Sequence, residues 1–352
     1  MSGTGTRPKA GSALLALPTG SSDDGGDGGD ELRWWHPKDF FSSTVPLKGR
    51  FLMWHMAGYY DESDDFERGY AVAGFVGHQH DCVHLDLAWR DKILDKYGLE
   101  YFKASELNAG KGQFAKFRDN PTGDLDAPFS AGEKKRLDEI KIASIDVIVN
   151  ADLLIGIGAV LVLPDYRRLA EEYKAMGKTL LAPYFFCAQT MMMESGFIVQ
   201  KINGTLRPSQ YGLLRPVFDS HEQYSGRAKQ MFDDFARKNP ITSEFLLPPH
   251  YESDKDYLVL QASDNLAYEC RRLLITQDFD THIPERMAMK RLKERVYKVY
   301  KLNYEGLRAI CEAQQPDKIP FEINIHNRHT LLEELEGIEE EGRKSREAKE
   351  RV

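Results

Sequence analysis

The chain has 352 residues, 41% hydrophobic and 29% charged, enough for one large domain or two ordinary ones. That composition excludes collagen-like, coiled-coil and wholly disordered chains, and apolar runs such as Leu153–Leu163 and Phe185–Met193 fall short of the roughly 20 residues that cross a bilayer. With 47 Lys and Arg against 55 Asp and Glu the net charge is -8, so a nucleic-acid partner must meet a local basic surface or bound metal ions.

Residues 1–47 are rich in Gly, Ser and Asp and bury too little apolar surface to offset their ordering entropy, which predicts a disordered arm. Arg7 and Lys9 ahead of Ala13–Leu17 imitate a secretory signal, but the apolar stretch is too short for one. The four cysteines, Cys82, Cys187, Cys270 and Cys311, are widely spaced and form no CxxC pair. They read as buried free thiols, and the expected compartment is the cytoplasm.

Phe51–Tyr60 is apolar and aromatic, ends in Asp61-Glu62-Ser63-Asp64-Asp65, and is followed by the apolar run Gly69–Val76, which predicts a β-hairpin with an acidic turn. His84–Tyr97 has helical apolar spacing closed by Gly98, and Leu99–Lys103 reads as a short third strand before a loop opened by Ser105-Glu106-Leu107. Ser130-Ala131-Gly132-Glu133 is a capping box starting a helix toward Asn150, with Leu137, Ile140, Ile145 and Val149 inward. Leu153–Leu163 reads as a buried strand, Asp165–Lys174 and Pro183–Lys201 as helices, and Arg215–Asp219 as a strand ending in a carboxylate. Arg227–Lys238 reads as a helix, Ile241–Leu247 as an edge strand and Leu258–Ile275 as a helix. Residues 48–325 are therefore expected to form one mixed α/β domain, and 326–352 a charge-segregated helical tail.

Most named catalytic motifs are absent. Gly177-Lys178-Thr179 ends like a phosphate loop but has Glu172 where the first glycine belongs, and reads as an ordinary loop. Asn203-Gly204-Thr205 fits a glycosylation sequon and reads as a turn. His78, His80, Cys82 and His84 make a zinc site imaginable, against a polar strand end leading into a helix cap, and no distant second ligand pair accompanies them.

The carboxylates are more informative. Asp61 and Asp219 each sit where an apolar strand ends, and Asp264 lies in an otherwise apolar helix start. Two of them have a plain alternative, an Asx turn for Asp219 and an N-cap for Asp264. Together they suggest a shared site, because a buried carboxylate is costly unless paired, hydrogen-bonded or bound to metal. Acids converging in this way suit two-metal phosphoryl chemistry with Mg²⁺ or Mn²⁺.

Gly58-Tyr59-Tyr60-Asp61-Glu62-Ser63, Ala71–Phe75, Phe102-Lys103-Ala104-Ser105-Glu106-Leu107, Phe218-Asp219 and Leu260–Tyr268 with Arg271-Arg272 resemble, in this order, the family known as domain of unknown function 3800. The resemblance spans roughly residues 55–275. It implies a ribonuclease H-like fold, a mixed central sheet flanked by helices, and a metal-dependent nuclease-type site built from Asp61, Asp219 and Asp264. Glu106 is a fourth and weaker candidate, since many relatives place His where this chain has Lys103. Glu62 ranks below the others because strand alternation turns it away from Asp61.

Arg271 and Arg272 lie two helical turns beyond Asp264 and are candidates for holding a substrate phosphate. The basic run Arg286–Lys301 reads either as a further nucleic-acid surface or as a solvated helix face, and His221-Glu222-Gln223-Tyr224 as a general base or a loop cap. The expected function is metal-dependent hydrolysis of phosphodiester bonds in RNA or DNA. The alternative is a non-catalytic nucleic-acid-binding or protein-interaction module on the same fold.

Overall fold

The structure, a computed structural model, describes residues 55–121, 124, 126–151, 153–205, 212–220, 228–312 and 322–323. The predicted arm at 1–47, the charged tail at 326–352 and His221–Tyr224 lie outside the described residues.

Strands β1 (His55–Asp64) and β2 (Gly69–His78) form the predicted hairpin, paired antiparallel from Met56 opposite His78 to Asp64 opposite Tyr70. Helices α1 (Gln79–Trp89), α2 (Ala104–Ala109) and α3 (Ala131–Val149) follow, and then β3 (Ile155–Val162), antiparallel to β2. Beyond it run α4 (Leu163–Ala175), α5 (Pro183–Thr205) and β4 (Leu213–Asp219), which lies parallel to β1 on its free edge. Then come α6 (Ala228–Lys238), β5 (His250–Glu252) parallel to β4, and the long helix α7 (Leu258–Asp278). Finally α8 (Met287–Leu292), β6 (Val296–Leu302) parallel to β3, α9 (Tyr304–Glu312) and β7 (Glu322–Ile323) complete the described chain.

The seven strands run in the order β5-β4-β1-β2-β3-β6-β7. The antiparallel β1–β2–β3 meander, extended by parallel strands beside β1 and beside β3, makes the mixed central sheet flanked by helices that the sequence led one to expect. Strands β2 and β3 are apolar along almost their whole length because helices cover both faces of the sheet. On one face α7 lies across β1, β2 and β3, packed with α1 and α3 around Trp89, Phe102 and Ile140. On the other α5 lies on β2 and β3, with Tyr60, Met191 and Phe218 in that core.

The capping box forms as predicted: the Ser130 hydroxyl accepts the Glu133 N–H, and the Glu133 carboxylate accepts the Ser130 N–H. Cys82, Cys187 and Cys270 are buried free thiols, and Cys311 is half-buried.

Four elements depart from the sequence reading. Leu99–Lys103 is not a strand: the Phe102 N–H is taken by the Gln261 side chain instead of a neighbouring strand, and Ser105–Leu107 belongs to α2. Ile241–Leu247 is not an edge strand either, since Pro240 starts a helical turn through Ser243 and only Leu246 bridges to Leu214; the edge strand is β5. The basic run Arg286–Lys301 divides into α8 and β6, where a register shift lets Val296 and Val299 face one core and Tyr300 and Leu302 the other, so it offers no single helical face. Strand β1 continues to Asp64, so Asp61 stands within the strand, opposite Ala73, and not at its end.

The hairpin that carries Asp61 depends on a close backbone approach at Gly74, where a Cβ would stand 1.7 Å from the Tyr59 carbonyl oxygen. That atom is main chain and cannot rotate away. Gly74→Ala is therefore expected to destabilise the protein by about 1–3 kcal/mol or more, read as a lower midpoint in thermal or urea denaturation.

Candidate functional site

The first turns of α7 assemble the site, and each polar side chain in Gln261-Ala262-Ser263-Asp264 secures a different segment. The Gln261 carbonyl oxygen accepts the Trp89 indole N–H at 3.2 Å and the Phe102 N–H at 3.1 Å, while its amide donates to the Asp254 carbonyl at 2.9 Å. The Ser263 hydroxyl lies 2.9 Å from the Tyr59 carbonyl on β1 and 3.0 Å from the Val259 carbonyl of its own helix, and shares its proton between them. Asp264 Oδ2 accepts the Ala104 N–H at 2.6 Å. These bonds fix the segments bearing Lys103, Asp254 and Asp61 around Asp264. Because α7 starts at Leu258 with Tyr257 as its N-cap, Asp264 lies inside the helix, and the N-cap alternative is excluded.

Parallel pairing of Tyr60 with Phe218 sets Asp219 beside Asp61, and strand alternation turns both toward α7. Into this group reaches the Lys103 ammonium, 3.7 Å from Asp61 Oδ2, 3.7 Å from Asp219 Oδ2 and 3.5 Å from Asp254 Oδ2. The Asp219 carboxylate also accepts the Ser220 N–H at 3.0 Å and a backbone N–H of Asp254, so the local turn bonding foreseen for it coexists with membership of the cluster. Asp61 Oδ1 accepts the Glu62 N–H at 2.7 Å. Asp61 Oδ2 is buried and has no hydrogen-bond partner.

Burial pushes the Asp61 carboxyl well above the ordinary carboxylate range, against the pull of Lys103 and with the added repulsion of Asp264, Glu62 and Asp219. Burial likewise raises Asp264 to about 6 and lifts Asp219. Glu62, turned to the opposite face of β1, is pushed to about 7 by burial and then by the field of Asp219. Burial opposes the charge on Lys103, but Asp61, Asp264, Asp219 and Asp254 together outweigh it and raise its pKa. Lys103 therefore carries its positive charge within this cluster.

Three of the expected site residues are brought together and three are not joined to them. Glu106 is half-buried on α2, its two carboxylate oxygens each 3.1 Å from the Tyr101 hydroxyl, and no ion pair or hydrogen bond among the described residues joins it to the aspartates. Arg271 is nearly buried and committed to the β1–β2 turn, through Ser63 Oγ at 3.0 Å and Asp65 Oδ2 at 3.5 Å. Arg272 contributes to the field around the buried Glu269, and its Nε is buried without a hydrogen-bond partner. Two members of the cluster, Lys103 and Asp254, were not foreseen. Asp254 sits in a polar Ser-Asp-Lys-Asp turn with no local sign of burial, and Lys103 registers in the sequence only as a departure from His.

The remaining motifs resolve simply. His78 caps α1 by accepting the His80 N–H, as the cap alternative required. Gly177 takes a left-handed conformation just past the end of α4, whereas Asn203-Gly204-Thr205 is not a turn but the end of α5, with Asn203 buried and its amide bonded to the backbone of Gly212.

The donor chemistry suits a hard divalent cation: clustered carboxylates, an orphaned buried Asp61 Oδ2, and an ammonium standing where positive charge is required. As the side chains stand, no three His, Cys, Asp or Glu residues among the described ones are grouped closely enough to hold a metal ion. Magnesium needs oxygens at about 2.0–2.1 Å, so the carboxylates have to close inward from their places around Lys103.

No family model matches the chain. No curated protein matches it. One solved structure that does, described as the PCNA:RNase HII complex from Archaeoglobus fulgidus, has a chain 14% identical over 78% of this protein and 96% of its own length, with a TM-score of 0.25. So loose a superposition transfers neither a site nor an activity. No helix among the described residues is long and apolar enough to cross a membrane.

The raised carboxyls set the sign of the pH dependence. With native pKa values of about 6 for Asp264 and about 7 for Glu62, the metal-free native state holds more protons than the unfolded chain. Their stabilising contribution is complete below the unfolded value near 4 and is lost as pH rises through about 6 to 7. Asp86, pushed to about 7 by burial, acts in the same sense. The urea midpoint is expected to fall between pH 5 and pH 8 in a chelator, and Asp264→Asn to flatten the decline; a level wild-type profile contradicts the cluster.

Proposed function

We propose that the protein is a divalent-metal-dependent phosphodiesterase acting on RNA or DNA, and a member of the domain of unknown function 3800 family. Asp61, Asp219 and Asp264 are the ligands for Mg²⁺ or Mn²⁺, with Asp254 as a fourth. The observation that carries this reading is Asp61 Oδ2, a carboxylate oxygen buried beside three other aspartates and lacking any hydrogen-bond donor. A buried acid left so costs stability, and a site kept at that cost is a functional candidate. When bound, the metal neutralises phosphate charge and lowers the pKa of an attacking water. Glu106 is left out of the ligand set because Tyr101 holds its carboxylate.

The protein's own residues supply pre-organisation. The Ala104 N–H orients Asp264, the backbone of Ser220 and Asp254 orients Asp219, and strand pairing holds Asp61 beside them. Gln261 keeps the two loops in register. Little has to reorganise except the side chains that close around the ion. The acidic site meets the phosphate through its cations, which is consistent with the net charge of -8.

The competing reading, a non-catalytic nucleic-acid or protein-binding module, is favoured by Lys103, which already supplies positive charge to the cluster. Titration calorimetry with Mn²⁺ and cleavage of labelled single-stranded RNA and DNA decide between them. Wild type is expected to bind saturably and to cleave. Asp61→Asn with Asp219→Asn is expected to lose the binding, and Asp61→Asn alone to lower cleavage on the order of 10²-fold. Absence of both binding and cleavage in the folded wild type supports the module.

A further inference from the structure

We infer that the place among Asp61, Asp219 and Asp254 where the Lys103 ammonium stands is an exchange position, occupied by that ammonium when metal is absent and by a divalent cation when Lys103 swings out. The inference rests on the proposed metal-binding reading and adds to it the identity of the competing group and the place of competition.

The geometry of Lys103 is that of a counter-ion and not of a bonded partner. Its Nζ stands 3.5–3.7 Å from three carboxylates, beyond the roughly 2.7–2.9 Å of a charge-assisted hydrogen bond. The ammonium therefore supplies field without satisfying Asp61 Oδ2, which stays orphaned 3.7 Å away. One monovalent charge among Asp61, Asp219, Asp254 and the nearby Asp264 leaves the group net negative. A divalent ion answers that charge better and bonds the oxygens directly.

The side chain is also built to leave. Lysine is a compact point charge on a flexible stem, whereas arginine's planar fork would lock onto a carboxylate. The Lys103 side chain is 32% exposed, so a path to solvent exists. Its backbone need not move, because the adjacent Phe102 and Ala104 N–H groups are held by Gln261 and Asp264. Metal–oxygen distances near 2.0–2.1 Å leave no room for the ammonium among the same three carboxylates. Occupancy by one excludes the other.

The test uses the full chain with Mn²⁺ as probe, comparing wild type with Lys103→Met, which keeps an apolar stem of similar length. Exchange predicts two shifts of opposite sign. In chelator the variant melts several degrees below wild type, having lost the Lys103 ammonium from the cluster; in calorimetry it binds Mn²⁺ about 10-fold or more tightly. A side chain that merely props the fold lowers the melting temperature without tightening binding. Unchanged or weaker Mn²⁺ affinity in the variant overturns the exchange while leaving the metal site intact. No Mn²⁺ binding by either protein overturns the exchange together with the reading beneath it. Should Lys103→Met fail to fold, amine labelling of wild type read by mass spectrometry serves instead: Mn²⁺ is expected to raise acetylation at Lys103, and unaltered labelling overturns the proposal.

Discussion

Like charges crowded into a poorly solvated place repel one another, and the architecture around Asp61, Asp219, Asp254 and Asp264 is organised by that repulsion. Burial raises the carboxyls of Asp61, Asp219 and Asp264, and the Lys103 ammonium stands against the group. A core chosen for stability alone would replace these acids with apolar side chains of similar volume. On the proposed reading, their presence beside an orphaned oxygen serves a task that needs hard anionic ligands.

What holds the acids against their repulsion is chiefly the N-terminal part of α7. Gln261 anchors the segment before α2 and the turn after β5, Ser263 reaches β1, and Asp264 holds the start of α2. The helix itself is buried almost throughout, pinned across three strands, so its first turns have little freedom to yield. The rigid sheet supplies Asp61 and Asp219 at adjacent positions on neighbouring parallel strands, one set by the hairpin and the other by the crossover through α5. Precision at the site thus derives from a largely buried helix and from the pairing of β1 with β4.

Basic residues near the site are largely occupied. Arg271 secures the acidic β1–β2 turn, and Arg286 pairs with the buried Glu269 at 3.3 Å and with Asn108. Within the aspartate group the positive charge is Lys103, and it sits inside the cluster instead of on a surface facing a polyanion. On the proposed reading, recognition of phosphate at this site falls to cations bound by the carboxylates.

The sequence by itself determined the mixed α/β class, the hairpin, the capping box of α3, the buried strand β3 and the long helices α5 and α7, because each is written in local periodicity, caps or unbroken apolar runs. It also singled out Asp61, Asp219 and Asp264, since an acid embedded in an apolar stretch is visible without knowing the fold. Only the tertiary structure decided that Leu99–Lys103 is not a strand, that Val296–Leu302 is one, and that Arg271 serves the hairpin turn while Glu106 serves Tyr101. Lys103 and Asp254 joined the site on the same terms. Both lie in polar surroundings along the chain, and they acquire meaning only when Gln261, more than a hundred residues from one and seven from the other, bonds their segments to the same helix. Local patterns record which residues will be buried; which charges will meet depends on long-range hydrogen bonds that no short stretch of sequence contains.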